Sequence, residues 1–177
     1  MHAETLHANP RLRGLAPIAG DQTRLLILGS FPSVASLAAG QYYAHPRNQF
    51  WPLLSALFEV DLRALPYPAR IDCVLRRGLG IWDVYAACRR EGSLDAAITA
   101  GEPNDLAGLV ARLPRLRGIA HNGGASARFA TLSGGLVAQV DRLPSSSPAN
   151  ATWRFERKLE AWRAVFARHG LVAAAAA

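Results

Sequence analysis

The sequence predicts an α/β fold, a three-layer sandwich whose central, mainly parallel four-stranded sheet is flanked by helices. Two observations support this prediction. Four short apolar segments alternate along the chain with segments of helical periodicity, an order typical of parallel sheets covered by crossover helices. The first of them, residues 24–29, contains four consecutive aliphatic residues and stops at a glycine, which is typical of a strand buried on both faces.

The other elements follow from periodicity, caps and breaks. Residues 30–47 show no periodicity, and we expect a long functional loop there because three aromatic residues argue against disorder. Asn48 is the candidate N-cap of the first helix and Thr152 that of the last. The remaining predicted strands are residues 80–84, 117–121 and 136–140, and the predicted helices are residues 49–58, 69–77, 103–113, 125–132 and 152–168.

The length of 177 residues is that of one domain. We expect an extended N-terminal lead-in over residues 1–20, a single α/β domain over residues 21–170, and an alanine-rich tail over residues 171–177 that frays. No apolar stretch approaches the ~20 residues of a membrane helix, and the first residues lack the apolar centre of a secretion signal. We therefore expect a cytoplasmic protein without membrane contact, acting as a monomer.

The charge is strongly basic and is carried by arginine. The chain has 20 basic and 13 acidic residues, a formal net charge of +7, and Lys158 is its single lysine. Arginine forks match phosphate oxygens, so an anionic partner such as nucleic acid is one interpretation. A coding bias toward arginine and alanine is the other, and composition alone does not separate the two.

The cysteine pattern argues against several metal and disulfide frameworks. Cys73 and Cys88 are the only cysteines and do not form a CxxC pair. A zinc ribbon, an iron–sulfur cluster of four thiolates and a disulfide scaffold all need more cysteines. We therefore expect no metal or iron–sulfur cluster, and two buried small hydrophobic side chains.

Ligand sites of open parallel sheets lie beyond the carboxyl ends of the strands. In this chain the rule selects four places, which are residues 29–48, Asp83 with its neighbours, residues 121–124 and residues 143–150. The site is thus located before any resemblance is considered.

Residues 29–51 resemble the first motif of the uracil-DNA glycosylase superfamily, in particular its mismatch-specific branch. There, a strand ends in a Gly-x-Asn-Pro-Gly turn and a His-Pro-x-Asn-x-Phe-Trp segment follows at the same distance. Here Ser-Phe-Pro-Ser occupies the turn, and His-Pro-Arg-Asn-Gln-Phe-Trp follows it. With residues 80–84, 121–123 and 143–150, the chain is most similar to the hypoxanthine-DNA glycosylase (DNA-deoxyinosine glycosylase) group. The resemblance covers about residues 24–170.

The resemblance implies a monofunctional DNA glycosylase of base excision repair that needs no cofactor. Such an enzyme flips a deaminated nucleotide out of DNA and hydrolyses its N-glycosidic bond. The implied base is hypoxanthine, with uracil as a candidate second base. Two alternatives remain open: a catalytically silent nucleic-acid-binding protein of the same fold, and a uracil- or mismatch-specific glycosylase.

The resemblance also implies which residues bind the base. The turn of Gly29, Ser30 and Phe31 would hold the leaving base through backbone N–H groups. Tyr43 would stack on the flipped base, against the alternative of a loop aromatic packed into the core. These positions alone do not decide between the two roles of Tyr43.

Asp83 and Asn122 are the polar candidates for contact with the base edge. Asp83 stands where uracil-specific relatives place a base-reading asparagine; its alternative is to cap the following segment. Asn122 follows the third strand, and an Asn-Gly-Gly turn is an equally good interpretation.

The catalytic side chain differs from the wider superfamily. Phe31 takes the place of its water-positioning Asp or Asn, and Leu143 the place of a His or Asn in the second motif. In the hypoxanthine group the asparagine of the His-Pro-x-Asn segment is implicated in catalysis, which here is Asn48. His45 is the second catalytic candidate, with bracing of its loop as the alternative.

The second motif predicts DNA contacts. Ser145, Ser146 and Ser147 offer small hydroxyl donors for phosphate. Asn150 or Ala149 would have to fill the gap left by the flipped base, although neither is bulky. A third functional class, a small-molecule hydrolase pairing Ser30 or Ser145 with His121, has no Gly-x-Ser-x-Gly elbow to support it.

Overall fold

The computed structural model describes residues 9–173. Its strands are β1 (Arg11–Arg13), β2 (Leu25–Gly29), β3 (Leu79–Asp83), β4 (Tyr85–Arg89), β5 (Thr99–Pro103), β6 (Gly118–Asn122) and β7 (Gln139–Leu143). Its helices are α1 (Val34–Ala39), α2 (Phe50–Phe58), α3 (Tyr67–Arg76), α4 (Leu106–Val110), α5 (Gly124–Ala127), α6 (Ala130–Gly134) and α7 (Phe155–Arg168), with 3-10 turns at Leu62–Ala64 and Asp95–Ala97.

The central sheet has the strand order β3-β2-β6-β7, and all of its neighbours are parallel. Every residue of β2 and β3 is buried, as expected for strands covered on both faces. Helix α3 packs on β3, α5 on β2 and β6, and both α6 and α7 on β7. The predicted α/β class, with a four-stranded parallel sheet flanked by helices, is confirmed.

A second, antiparallel sheet has the order β1-β4-β5 and was not predicted. β4 leaves β3 after a single residue, Val84, and β1 pairs with it so that Arg11 lies opposite Arg89. Part of the expected N-terminal lead-in is therefore a strand. The connection from β4 to β5, residues 90–98, reaches back to the carboxyl end of β2.

Several predicted boundaries are wrong for local reasons. Helix α1 lies within the predicted loop, because six residues are too few to show periodicity; Ser33 caps it and Gly40 closes it in the left-handed conformation. Strand β7 begins at residue 139 instead of 136. The N–H groups of Leu136 and Val137 both donate to the Ser133 carbonyl and close the turn after α6.

Three predicted helices are shorter than expected. The helix predicted over residues 103–113 is limited to the five residues of α4, Leu106–Val110. Asp105 caps it, because its carboxylate accepts from the Gly108 N–H. The one predicted over residues 125–132 is split into α5 and α6. The last helix is α7, which begins at Phe155 after Arg154; Thr152 instead donates to Asn150 Oδ1 at 3.0 Å.

Helices α2 and α7 pack together through aromatic side chains and fix the start of α2 beside the sheet. The ring centroids of Phe50 and Trp162 are 5.8 Å apart, and those of Phe58 and Phe166 are 5.9 Å apart.

The predicted burial of both cysteines is confirmed. Within residues 9–173, no helix is long and apolar enough to cross a bilayer. The frayed tail predicted over residues 171–177 is wrong at its start, because Leu171 is buried against the core. Residues 174–177 lie outside the described residues.

Candidate active site

A cavity of about 100 Å³ lies at the carboxyl ends of β2, β3 and β6, where the sequence places the site. His45 and Asn150 do not line it. The other predicted site residues do, namely Gly29, Ser30, Phe31, Tyr43, Asn48, Asp83, Asn122, Ser145, Ser146 and Ser147. The structure thus brings together residues from four separate segments, while their individual roles stay predictions.

Asp83 and Gly29 lie directly against each other in the wall of this cavity. A Cβ on Gly29 would lie 2.3 Å from Asp83 Oδ1, so a side chain at Gly29 would displace the carboxyl. The Asp83 side chain is buried, and its Oδ2 has no hydrogen-bond partner among the described residues. No described backbone N–H donates to this carboxyl, so the capping alternative is not supported.

Burial sets the protonation of Asp83. The pKa of this carboxyl is raised to about 7, chiefly by loss of hydration and in addition by the nearby Asp95, while Arg90 opposes the shift. The carboxyl therefore titrates near neutral pH. In its neutral form it offers one O–H donor and one carbonyl acceptor to a ligand in the cavity.

Tyr43 forms an aromatic wall of the cavity and packs against the core at the same time. Its ring stacks on Phe50 with centroids 3.8 Å apart and planes 12° apart. Its φ of 53° is in the left-handed region, which costs free energy for a tyrosine and is usual only where the surroundings enforce it. Because Tyr43 stacks on Phe50 and also lines the cavity, core packing and contact with a base are compatible roles.

Asn122 connects three parts of the site. Its Oδ1 accepts from the Ser146 N–H at 3.0 Å, and its Nδ2 donates to Ser146 Oγ at 2.9 Å and to the Tyr43 hydroxyl at 3.2 Å. Both amide hydrogens are thereby used. We infer a positioning role for Asn122, with little capacity left for reading a base.

Ser146 differs from its two neighbours. It is fully buried, and its carbonyl accepts from the Gln49 N–H at 2.9 Å. The prediction of a hydroxyl accessible to phosphate is therefore wrong for Ser146. Ser145 Oγ accepts from the Ser147 N–H, and Ser147 Oγ from the Ala149 N–H, both at 3.2 Å, so both hydroxyl hydrogens remain available for phosphate.

Asn48 caps helix α2 and also presents an amide to the cavity. The helix begins at Phe50, and Gln49 at the N-cap position makes no side-chain cap bond. Asn48 Oδ1 supplies that bond by accepting from the Phe50 N–H at 2.9 Å. Its Nδ2 donates to no acceptor in the described part of the chain, so capping leaves this group free.

His45 supports its own loop and not the cavity. Its Nδ1 accepts from the Arg47 N–H at 3.1 Å, and its carbonyl accepts from the Asn48 N–H at 2.9 Å. This geometry favours the bracing alternative over a catalytic role.

Asn150 lies in an outer groove of about 600 Å³ that adjoins the cavity. Its Nδ2 donates to the Ser145 carbonyl at 3.1 Å. Arg142 and Trp153 also line this groove, and the Arg157 guanidinium lies 3.9 Å from the Trp153 ring centroid. Sequence reasoning missed both arginines, because an arginine-rich chain gives single arginines no distinguishing signal, and it placed Trp153 only as part of the last predicted helix.

Residues 90–98 form a second part of the site that the sequence did not reveal. Arg90 is buried, donates from Nη2 to the Pro32 carbonyl at 2.5 Å, and lies 5.1 Å from the Phe31 ring centroid. Ser93 and Asp95 line the cavity. No motif marks this segment, since its role comes from the antiparallel sheet that returns it to β2.

His121 is a core residue, which excludes the hydrolase pairing with Ser30 or Ser145. It is fully buried and bonds to Ser126 Oγ at 2.7 Å and Ser133 Oγ at 3.0 Å. Ser126 gives its only hydrogen to the Leu28 carbonyl, so His121 Nδ1 carries the ring proton and Nε2 accepts from Ser133. Burial lowers the pKa of His121 to about 4.

This buried histidine predicts a loss of stability in acid. Its folded pKa is below the ordinary value of about 6.5, so its contribution is complete above pH 6.5 and is lost as the pH falls toward 4. Between pH 7 and 4.5 the unfolding free energy of the parent should fall by about 2 kcal/mol more than that of His121→Asn. Urea unfolding at both pH values measures this difference. Equal losses would show that His121 does not titrate in this window.

Comparison with His121→Asn is needed because Asp83 acts in the opposite direction. Its folded pKa lies above its ordinary value, so protonation of Asp83 stabilises the folded protein as the pH falls through about 7. The pH curve of the parent alone contains both contributions. The difference between the two proteins isolates His121.

The fold and the site define an α/β protein with a polar cavity at the carboxyl ends of a four-stranded parallel sheet and with its site segments on the loops around it, the arrangement expected of a DNA glycosylase. The family model described as the uracil DNA glycosylase superfamily matches residues 17–167. The chain belongs to this superfamily.

Proteins similar to this chain occur in two species of Methanosarcina. A protein of Methanosarcina acetivorans named hypoxanthine DNA glycosylase is 38% identical over 157 residues, which are 89% of this chain and 98% of the relative. A protein of the same name from Methanosarcina barkeri is 35% identical over 156 residues, 88% of this chain and 98% of the relative. The solution NMR structure of a Methanosarcina acetivorans protein, described as a candidate uracil DNA glycosylase, has a TM-score of 0.81 at 36% identity and covers 90% of this chain and 99% of its own.

Proposed function

We propose that this protein is a monofunctional DNA glycosylase that releases hypoxanthine from deoxyinosine in DNA, with uracil as a second base. The single observation that carries the choice of base is the buried Asp83 carboxyl beside the cavity, whose Oδ2 has no hydrogen-bond partner within residues 9–173. Both bases present an N–H next to a carbonyl. A neutral carboxyl pairs with such an edge through one accepted and one donated hydrogen bond. The relatives named hypoxanthine DNA glycosylase support the same choice.

The reaction breaks the bond between C1′ of deoxyribose and N9 of hypoxanthine, and the bonding electron pair leaves with the base. Within the described residues, the N–H groups of Ser30 and Phe31 have no protein acceptor. We assign them the stabilisation of the charge that develops on the base. This role depends on the backbone, so it tolerates phenylalanine where other superfamily members have a polar side chain.

The water that adds to C1′ needs orientation more than a strong base. An oxocarbenium-like transition state makes C1′ highly electrophilic, so positioning supplies much of the barrier reduction. We assign this positioning to the Asn48 amide, whose Nδ2 is free and whose Oδ1 keeps a lone pair after capping. The water oxygen bonds to C1′, and its proton leaves to solvent.

The absence of a lysine from the cavity wall supports a monofunctional enzyme. Lys158 is buried outside the cavity, and its Nζ donates to Gln49 Oε1 at 2.8 Å and to the Asn150 carbonyl at 3.0 Å. An amine held in this way is not available to form a Schiff base with the abasic sugar. Cleavage of the DNA strand should therefore require added alkali.

DNA is the partner that we propose, held at phosphates by Ser145 and Ser147 and in the outer groove by Asn150 and Arg142. We also propose that residues 21–170 form the catalytic domain, to which residues 11–13 add an edge strand. We propose further that the protein acts in the cytoplasm as a monomer. Among residues 9–173, no cluster of three or more potential metal ligands occurs.

The assay for this function uses end-labelled duplexes that differ only in one base, inosine, uracil or a mismatched thymine. We expect release of free hypoxanthine and strand breakage only after alkali, with the same rate in EDTA. Borohydride should trap no covalent complex between protein and DNA. Tight binding of the inosine duplex without base release would favour the catalytically silent alternative, and release of uracil or thymine only would favour the uracil- or mismatch-specific one.

A further inference from the structure

A flipped nucleotide leaves a gap in the base stack, and proteins that disrupt stacking commonly insert an apolar side chain at such a step. The loop of residues 144–150 offers no large aliphatic or aromatic side chain for this purpose. The Pro148 ring is exposed but compact, Ala149 is small, and the Asn150 amide is held on both sides, by the Ser145 carbonyl and by the Thr152 hydroxyl. A larger apolar side chain at the rim of the cavity comes from another segment.

Leu94 has the required position and exposure. It is 64% exposed, the largest value among the exposed large hydrophobic residues of the described chain, which also include Val34 at 54% and Leu132 at 51%. The residues on either side of it, Ser93 and Asp95, both line the cavity. A leucine side chain thus projects into solvent directly beside the proposed base pocket.

The backbone around Leu94 is fixed to the turn that follows β2. The Val34 N–H donates to Ser93 Oγ at 3.0 Å, and Ser30 Oγ donates to Asp95 Oδ1. The Leu94 carbonyl accepts from the Ala97 N–H at 3.1 Å and starts the 3-10 turn. Since the segment is already ordered, insertion of this side chain would cost little conformational entropy.

We propose that Leu94 is the wedge of this enzyme, entering the base stack of duplex DNA and occupying the space of the flipped nucleotide. The proposal rests on the proposed glycosylase function. It assigns to residues 90–98 a part in flipping, next to the turn that receives the base. Val34 is a second exposed apolar side chain near Leu94, because its backbone N–H donates a hydrogen bond to Ser93 Oγ.

Leu94→Ala should lower the single-turnover rate of hypoxanthine release from duplex DNA by about 10- to 100-fold, because the gap loses a leucine-sized apolar contact. The matched control is Leu132→Ala, which removes the same atoms from a similarly exposed leucine on α6 that lines neither the cavity nor the outer groove. The rate of the control should stay within twofold of that of the parent. Thermal melting of both variants verifies that they fold.

Two further substrates separate a wedge from a merely structural residue. On single-stranded inosine DNA there is no stack to keep open, so Leu94→Ala should cleave at the parent rate. A pyrene nucleotide opposite inosine in the duplex fills the gap by itself and should restore most of the lost rate.

The outcomes are distinct. An equal loss on single and double strands, no rescue by pyrene, or a duplex rate equal to that of the parent would each overturn the wedge. If the parent releases no base from either substrate, the proposed function itself fails.

Discussion

Replacing Asn48 with alanine is expected to lower the single-turnover rate of hypoxanthine release by about 100- to 10,000-fold, the range for loss of a group that positions a reactant or donates to developing charge. In this site Phe31 cannot hydrogen-bond through its side chain, and His45 does not line the cavity. We therefore assign orientation of the attacking water to the Asn48 amide, whose Nδ2 donates to no acceptor in the described part of the chain.

The capping bond of Asn48 makes the alanine result alone ambiguous. Alanine removes both the Phe50 cap and the free amide, and loss of a cap by itself costs about 1 kcal/mol. Asn48→Ser separates the two effects, because a serine hydroxyl also accepts from the N–H two residues on, although more weakly, and lacks the amide. We expect both variants to lose the same activity, and Asn48→Ala to lose more stability than Asn48→Ser.

Rates measured under single turnover, with excess enzyme, report the chemical step without product release. Urea unfolding of the same preparations gives the stability. Near-normal cleavage by Asn48→Ser would reduce Asn48 to a helix cap. The water would then have to be positioned by another group on the cavity wall, with Asp95 the first to test.

The parts of the site that could be predicted from the sequence follow a general rule. Strand β2 ends at Gly29 and β3 at Asp83, and both ends were expected within one residue. Polar residues that follow neighbouring parallel strands converge at one sheet edge. Asp83 and Asn122 were therefore placed correctly without any knowledge of packing, although their hydrogen bonds were not foreseeable.

The parts that could not be predicted depend on tertiary contacts. The segment around Leu94 reaches the site only because β4 pairs with β1 and β5, and such long-range pairing has no local signature. Ser146 has the same residue type as Ser145 and Ser147, yet it is buried by its bonds to Asn122 and Gln49. Residue type predicts what a side chain is able to do, while its partners decide whether that capacity remains free.

Asp83→Asn is expected to change the pH dependence of hypoxanthine release. The Asp83 pKa of about 7 means that the parent has a neutral carboxyl below this pH and a carboxylate above it. The neutral form accepts from N1–H and donates to O6 of hypoxanthine, whereas the carboxylate repels O6. The parent rate should therefore fall about tenfold per pH unit above pH 7, to about 100-fold lower at pH 9 than at pH 6.

Asparagine has the same shape as aspartic acid and pairs with the same base edge, donating from its amide and accepting at its carbonyl, without titrating. Asp83→Asn should therefore lose less than threefold over the same range and exceed the parent at pH 9. Ionisation of hypoxanthine itself in alkali is common to both proteins and cancels in the ratio of their rates, which is the quantity to measure. A constant ratio from pH 6 to pH 9 would mean that Asp83 does not contact the base edge. Hypoxanthine would then have to be selected by the shape of the cavity, with Tyr43 and the Gly29 turn as its walls.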